Sequence, residues 1–411
     1  MRCHLSPASS FPAFFISIHH LSIFIPEQAT KNIMKAKSIK GTTTQEIVSA
    51  LQQSMADGFK PTLAVVFLSV MNEIEAVSSL LNKHGITFFG ATTFAEFSEQ
   101  DAENKGIAVL LLDIDPAYFK IVLKDNGEGS GYEIGCYIGE TGKKSFANPG
   151  FIISSANYKI HGSLIIKGMI EKAGEDVIIV GGKAGELINL EGKVFTNTQS
   201  SDNAVIALIL DQDKVNLKGM AVSGWKPAGT EKKITRCIGL WVHTIDDQPA
   251  FDIVKKFLGT DILEDENKIG IVKLNIIYPL QLYREGGSPY MLPILFANTE
   301  DNSVMLAESV PEGTQFRFSM PPDFDVIDMV IKSSLEVKEK EMPEADALVI
   351  FSCIGRLGSL GPMASAEVEG LAGIWNSPMI GYYSLGEFGR VANGHPEFHG
   401  TTVSWIALKE K

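Results

Sequence analysis

Three short phrases set a glutamate at nearly the same distance after a glycine: Gly90 to Glu96 in GATTFAEF, Gly181 to Glu186 in GGKAGEL, and Gly381 to Glu387 in GYYSLGEF. Each follows an apolar, β-rich run, so each glutamate is expected in a turn past the C-terminal end of a strand, where α/β proteins place ligand groups. There a carboxylate accepts hydrogen bonds from an ammonium group, or from the NH groups of its own turn. A neighbouring glycine such as Gly386 lets the backbone approach a ligand closely. Arg356 follows the run ALVIFSC and is expected to reach the crevice of Glu387. Its planar fork matches a carboxylate bidentately, and it suits an ion pair with Glu387 or Glu367 equally well. Arg356 and Glu387 together would meet the two ends of an amino acid. Tyr382, Tyr383 and Trp225 are candidates for pocket wall or for core.

Cys353 offers a rival chemistry. A cysteine at a strand end before a glycine-containing turn becomes a nucleophile when a histidine and an acid are in reach, and His399 with Glu387 are conceivable partners for a cysteine-dependent hydrolase. No second local signature of such an enzyme accompanies it, and cysteine is commonly a small buried hydrophobe. The chain is therefore expected not to be an enzyme. In HPEFH, His395 and His399 would share a face only on a helix, whereas Gly394, Pro396 and Gly400 make the stretch a solvated turn entering a strand; no metal site is expected. The glycine-rich KDNGEGSGYEIG lacks the lysine and spacing of a phosphate loop and reads as a flexible connection, so no cofactor is expected.

The composition narrows the classes. With 411 residues, 45% hydrophobic and 21% charged, the chain can bury two or three cores. A net charge of -13 favours solubility and argues against a nucleic-acid or anionic-membrane partner. Four cysteines without a C-x-x-C pair indicate neither a disulfide framework nor a zinc knuckle, and a cytoplasmic location is the default. Residues 1–33 stand apart: FPAFFISIHHLSIFI is apolar but short for a membrane span and lacks a good cleavage site. They are expected to be a non-native or disordered extension, with the functional protein starting at Met34.

Aligned on the glycine phrases, the rest shows one order used three times. TLAVVFLS, the helix with Ile74, Val77, Leu80 and Leu81, ITFFG, the turn and GIAVLLLDID form the first copy, with Asn72 and Glu75 as a capping box. GFIISS, SLIIKGMIEKAG, VIIVGG and NAVIALILD form the second. ALVIFSC, the loop IGRLGSLGP, a helix with Val368, Leu371 and Trp375, PMIGYYSLGEF and TTVSWIALK form the third. FKIVL and EIGCYIGETGKKSFA connect the first copy to the second, and a more antiparallel segment precedes the third. The expectation is an α/β protein of two domains, 34–214 and 215–411, built from repeated strand-helix-strand-turn-strand units with mixed sheets.

GWKPAG (Gly224–Gly229), YPLQL (Tyr278–Leu282), VPEG (Val310–Gly313), FSCIGR (Phe351–Arg356) and GYYSLGEF (Gly381–Phe388), in this order, resemble the C-terminal half of the FIST domain. GATTFAEF and GGKAGE resemble the two signature turns of its N-terminal half, with Ala95 where that signature carries glycine. The resemblance implies an intracellular sensory module, attached to or encoded near signalling proteins, that binds small ligands such as amino acids. No kinase, cyclase or receptor output module lies within the sequence, so signalling is expected through a separate protein such as a histidine kinase. The ligand-binding set expected from the turns is Glu96, Glu186, Arg356, Tyr383, Gly386 and Glu387, with a ligand-free interaction scaffold as the other non-enzymatic reading.

Overall fold

The computed structural model describes residues 34–99, 105–186, 190–258, 278–283, 289–320, 323 and 325–411. The expectation for residues 1–33 lies outside them. Residues 34–411 form one compact unit, and its body is a single motif built three times.

The first repeat runs β1 (Lys35–Gly41), α1 (Thr44–Met55), β2 (Leu63–Leu68), α2 (Ile74–Lys83), β3 (Thr87–Thr92), β4 (Glu96–Ser98) and β5 (Ile107–Asp113). The second runs β6 (Phe119–Asp125), α3 (Gly131–Ser145), β7 (Pro149–Ser155), α4 (Gly162–Ala173), β8 (Ile179–Lys183), β9 (Val194–Phe195), β10 (Ser200–Ser201) and β11 (Ala204–Asp211). The third opens with β12 (Val215–Val222), and an inserted antiparallel sheet then interrupts it. That insert comprises β13 (Lys226–Ile238), β14 (Trp241–Ile245), β15 (Gln248–Pro249), α5 (Ala250–Leu258), β16 (Leu280–Leu282), β17 (Tyr290–Leu292), β18 (Ile294–Asn298), β19 (Ser303–Leu306) and β20 (Gln315–Met320). The repeat resumes with α6 (Asp325–Lys340), β21 (Ala347–Cys353), α7 (Ile354–Leu360), α8 (Ala364–Trp375), β22 (Met379–Ser384), β23 (Glu387–Arg390), β24 (Pro396–His399) and β25 (Val403–Glu410).

The strand orders coincide: β1-β5-β2-β3, β6-β11-β7-β8 and β12-β25-β21-β22. In each, a parallel pair (β2 with β3, β7 with β8, β21 with β22) lies beside an antiparallel closing strand. FKIVL is therefore the edge strand of the second repeat and not a connector. Each repeat also contains an edge strand and a helix ahead of the first strand that its sequence phrase suggests.

Alternation along the central strands explains the layering. Leu63, Val65 and Phe67 of β2, Ile206, Leu208 and Leu210 of β11, and Ala347, Val349 and Phe351 of β21 all enter one common core. The intervening residues face helices: Ala64, Val66 and Leu68 meet α1 and α2, Val205 and Ile209 meet α3 and α4, and Leu348 and Ile350 meet α6 and α8. Strands covered on both faces read as continuous apolar runs, and each fully buried large aliphatic or phenylalanine contributes about 1.5–3 kcal/mol. The inserted sheet has its own core around Ile234, Val254, Leu292 and Phe316.

The repeats are also laced together. The short strand after each glycine turn leaves its own sheet: β4 pairs with β22, β23 with β8, and β9 with β3. In all three a phenylalanine faces a strand glycine, Phe97 on Gly381, Phe388 on Gly181 and Phe195 on Gly90. A Cβ on Gly90 would lie 2.4 Å from the Phe195 ring, and one on Gly381 would lie 2.3 Å from Phe97. At Gly90 and Gly381 the recurring glycine is thus a seat for a neighbour's aromatic ring, whereas a Cβ on Gly181 would meet the Ile153 carbonyl at 2.0 Å.

Two local expectations are corrected. α2 starts at Ile74 without a side-chain cap from Asn72, because the preceding residues Met71–Glu73 form a 3-10 turn and Glu73 instead accepts from the Thr44 backbone at 3.2 Å. IGRLGSL is not a loop but α7, since Ile354, Arg356 and Leu360 are buried and this packing overrides the low helix propensity of its glycines.

Candidate functional site

Two of the three glutamates occupy equivalent buried sites. Ser69, Ala156 and Cys353, at the ends of the first parallel strands, donate their N–H to the carbonyls of Gly106, Ala204 and Thr402. Around Glu96, Thr93 Oγ donates to Oε2 at 2.8 Å, Ser69 Oγ donates to Oε1 at 3.3 Å, and the Gly106 N–H closes the ring. Around Glu387, Ser384 Oγ donates to Oε1 at 2.6 Å and the Thr402 N–H to Oε2 at 3.2 Å, with the Cys353 thiol beside it. Burial outweighs these donors: the Glu96 carboxyl is pushed up to about 7 and that of Glu387 to about 8. Both carboxyls fasten turns and hold a proton readily near neutrality.

Glu186 is not the third member of this set. Register places Glu96 opposite Tyr382, Glu387 opposite Gly182 and Val194 opposite Ala91, so the equivalent residue is Val194. Glu186 is half-buried in the preceding turn, where its backbone N–H donates to Glu191 at 3.0 Å. In the second repeat the hydroxyl and thiol positions are likewise apolar, Ala156 and Ala184, so that site is filled by hydrocarbon. Glu96 and Glu387 are buried and bonded within their own turns, while Glu186 is half-buried.

Arg356 is fully buried, and its fork is already occupied. Nε donates to Glu367 Oε2 at 2.9 Å, Nη2 to Glu367 Oε1, and Nη1 to the carbonyls of Ser223 and Thr401, while the Trp225 ring lies 5.3 Å from the guanidinium carbon. The expected clamp on a ligand carboxylate is replaced by an ion pair that ties α7 to α8 and to β12. Tyr382 is core, its hydroxyl donating to the Gly182 carbonyl at 2.7 Å. Tyr383 packs 5.2 Å from Phe97. Gly386 has φ +149, and a Cβ there would meet the Phe398 ring at 2.3 Å, so it serves packing; Ala95, at the equivalent position, has no such φ. Burial and the Glu387 carboxylate push the Cys353 thiol well up, the opposite of what a thiolate nucleophile requires. His399 is buried in β24 with Nε2 at 3.3 Å from the Gly389 carbonyl, so PEFH is a strand, and the turn lies before it. Among the described residues no cluster of His, Cys, Asp and Glu is placed to hold a metal ion.

The site that sequence reasoning missed lies where β8 and β21 end and the insert docks. Lys183 Nζ lies 3.4 Å from Glu308 Oε1 and 3.4 Å from the Tyr158 carbonyl, 4.6 Å above the Phe398 ring, with 2% of its surface exposed. Glu308, from the insert, is committed elsewhere: the Gly162 N–H donates to it at 2.6 Å and Ser163 Oγ at 2.7 Å, so it caps α4. Burial pushes Glu308 up, yet Lys183, His161 and these donors hold it below the usual carboxylate range. Lys183 is left with two long contacts, and burial pushes its ammonium down. Beside it is a cavity of 20 Å³, room for about one water. Lys183, Tyr158, Cys353 and Phe398 line it from the body, and Pro293, Leu295 and Ala307 from the insert. A larger cleft of 280 Å³ beside β12 is less suited to selective binding, because its charges are spent: Lys218 pairs with Glu341 at 2.6 Å and Arg390 donates to the Glu175 carbonyl.

Against this geometry stand two family matches: the FIST N domain over residues 62–248 and the FIST C domain over residues 250–390. The chain belongs to the FIST family. No curated protein matches it. FIST domains are associated with sensory signal transduction. The junction of the two FIST matches, at 248 to 250, falls inside the inserted sheet, between β15 and α5, whereas β12 begins at Val215, where the third repeat starts. A signal for Lys183 was present in the FIST sequence: a lone lysine at the end of the apolar run VIIVGGK, where its counterparts in register are Thr92 and Tyr383.

Proposed function

We propose that this FIST chain is an intracellular sensory module that takes a small polar ligand into the junction of the second repeat, the third repeat and the insert, and signals through a separate protein such as a histidine kinase. The observation that carries the reading is Lys183, a buried ammonium with two 3.4 Å partners bordering a cavity. A buried charge without close partners is costly, and a ligand that satisfies it recovers that cost. The cavity as it stands admits one water, so a ligand must displace the wall formed by Pro293, Leu295 and Ala307. Ligand binding then favours a displaced insert to the extent that the ligand prefers that state, and the partner reads the altered surface. Among the described residues no helix is long and apolar enough to cross a membrane.

The test is a thermal-shift screen of the full chain against amino acids, their deaminated counterparts and related metabolites. A compound at about one hundred times its Kd adds about 2.7 kcal/mol and raises Tm by a few degrees. A selective shift accompanied by altered amide exchange in β18 supports a sensor. Silence across the whole panel turns the assignment to a ligand-free interaction scaffold.

A further inference from the structure

We infer that the Lys183 cavity recognises a small monocarboxylate with an apolar body and no ammonium group. This rests on the sensory reading above and narrows its ligand class. Lys183 is the cation on the cavity wall, and its two 3.4 Å contacts leave it able to accept a closer anionic partner. A carboxylate supplies that partner as a charge-assisted hydrogen bond. Apart from Thr401 and Tyr158, the rest of the wall is hydrocarbon and sulfur, including Leu190, Leu295, Leu385 and Phe398, which suits an aliphatic chain.

An amino acid would bring an ammonium that also needs an acceptor, and neither nearby acid lines the cavity. Glu308 is held by the N-terminus of α4 through Gly162 and Ser163, and Glu387 is held by Ser384 and Thr402. Thr401 Oγ donates to the Gly400 carbonyl at 2.8 Å, and the Tyr158 carbonyl already accepts from Lys183. An ammonium placed here would be buried without a counter-charge, which is the unfavourable case for selectivity.

The experiment is calorimetric titration of the full chain with acetate, butanoate, 3-methylbutanoate, leucine and 3-methylbutanamide, with amide exchange of Ile294–Asn298 followed in each complex. The inference expects 3-methylbutanoate to bind, with leucine and the amide weaker by at least about tenfold. Lys183→Met should abolish carboxylate binding. Because that change also leaves Glu308 without its buried cation, Ala307→Leu serves as a second variant that fills the cavity and keeps Lys183; it should abolish binding with an unchanged circular dichroism spectrum. Binding of leucine as tight as that of 3-methylbutanoate overturns the inference, as does carboxylate binding indifferent to both variants, or no carboxylate binding at all. A different compound that binds and alters exchange in both variants leaves the sensory reading standing and removes this site. Lys183-dependent carboxylate binding with no exchange change in Ile294–Asn298 keeps the site and removes the sensory reading.

Discussion

Replacing Glu96 by Gln should flatten the dependence of stability on pH between about pH 5 and about pH 8.5. The carboxyl is 1% exposed, and three donors, Thr93, Ser69 and the Gly106 N–H, partly offset its burial, with Lys40 also nearby. Burial wins, and the folded protein holds the Glu96 proton up to about 7, against an ordinary 4.5. A group whose folded value is raised stabilises fully below its unfolded value, and that contribution is lost as pH rises through the folded value. Going from 4.5 to about 7 at about 1.4 kcal/mol per pH unit puts the loss at about 3 kcal/mol once Glu96 is fully ionised. Glu387, raised from the same 4.5 to about 8, adds a loss of the same sign that continues to higher pH. Urea midpoints of wild type, Glu96→Gln and Glu387→Gln at about pH 5.5, about pH 7 and about pH 8.5 read this directly. Glu96→Gln should gain on wild type as pH rises to about 7, and Glu387→Gln should go on gaining to about 8. Parallel curves for wild type and Glu96→Gln, or a wild type that gains stability across this range, would refute the assignment of a buried, readily protonated acid.

Arg356→Met should cost about 3–5 kcal/mol by leaving Glu367 buried without its cation, and the double variant with Glu367→Leu should recover most of it, as urea denaturation would show. Gly90→Ala drives a Cβ against the Phe195 ring and should destabilise by about 1–3 kcal/mol. Combined with Phe195→Leu, its cost should be less than additive in a double-mutant cycle, because both act on the same seat. Iodoacetamide followed by mass spectrometry should label the half-buried Cys136 and Cys237 well before the buried Cys353, whose thiol is pushed up by burial and by Glu387.

The repeated glycine phrase was legible because it reflects a backbone constraint: a ring from another repeat lies on the strand at Gly90 and Gly381, so only glycine fits. The parallel strands were legible for a related reason, since burial on both faces leaves unbroken apolar runs. What the spacing did not reveal was where the glutamate strand goes. β4, β23 and β9 each leave their own sheet, and nothing local in GATTFAEF reports that Phe97 will face Gly381. The same blindness produced the error at Glu186: counting from Gly181 finds the first acid, whereas sheet register passes over it to Val194, beyond a longer loop. Arg356 was correctly seen as either clamp or ion pair, and only packing chose between Glu387 and Glu367.

The candidate site lies where the threefold plan is broken. The first and third repeats keep a hydroxyl or thiol, a second hydroxyl and a buried glutamate; the second has Ala156, Ala184 and Val194 at those places. A closing acid that is absent from one repeat cannot be what holds that turn, and there the structure uses Lys183 and Glu308 instead, drawing in a residue of the insert. On the proposed reading, a cation whose partner comes from a separate sheet gives a small anion an existing contact to compete for at the second turn. If the proposed site binds, movement of the insert and occupation of the cavity are coupled through the same Lys183 ammonium, which is why that residue, and not the repeated glutamates, is the one to test for sensing.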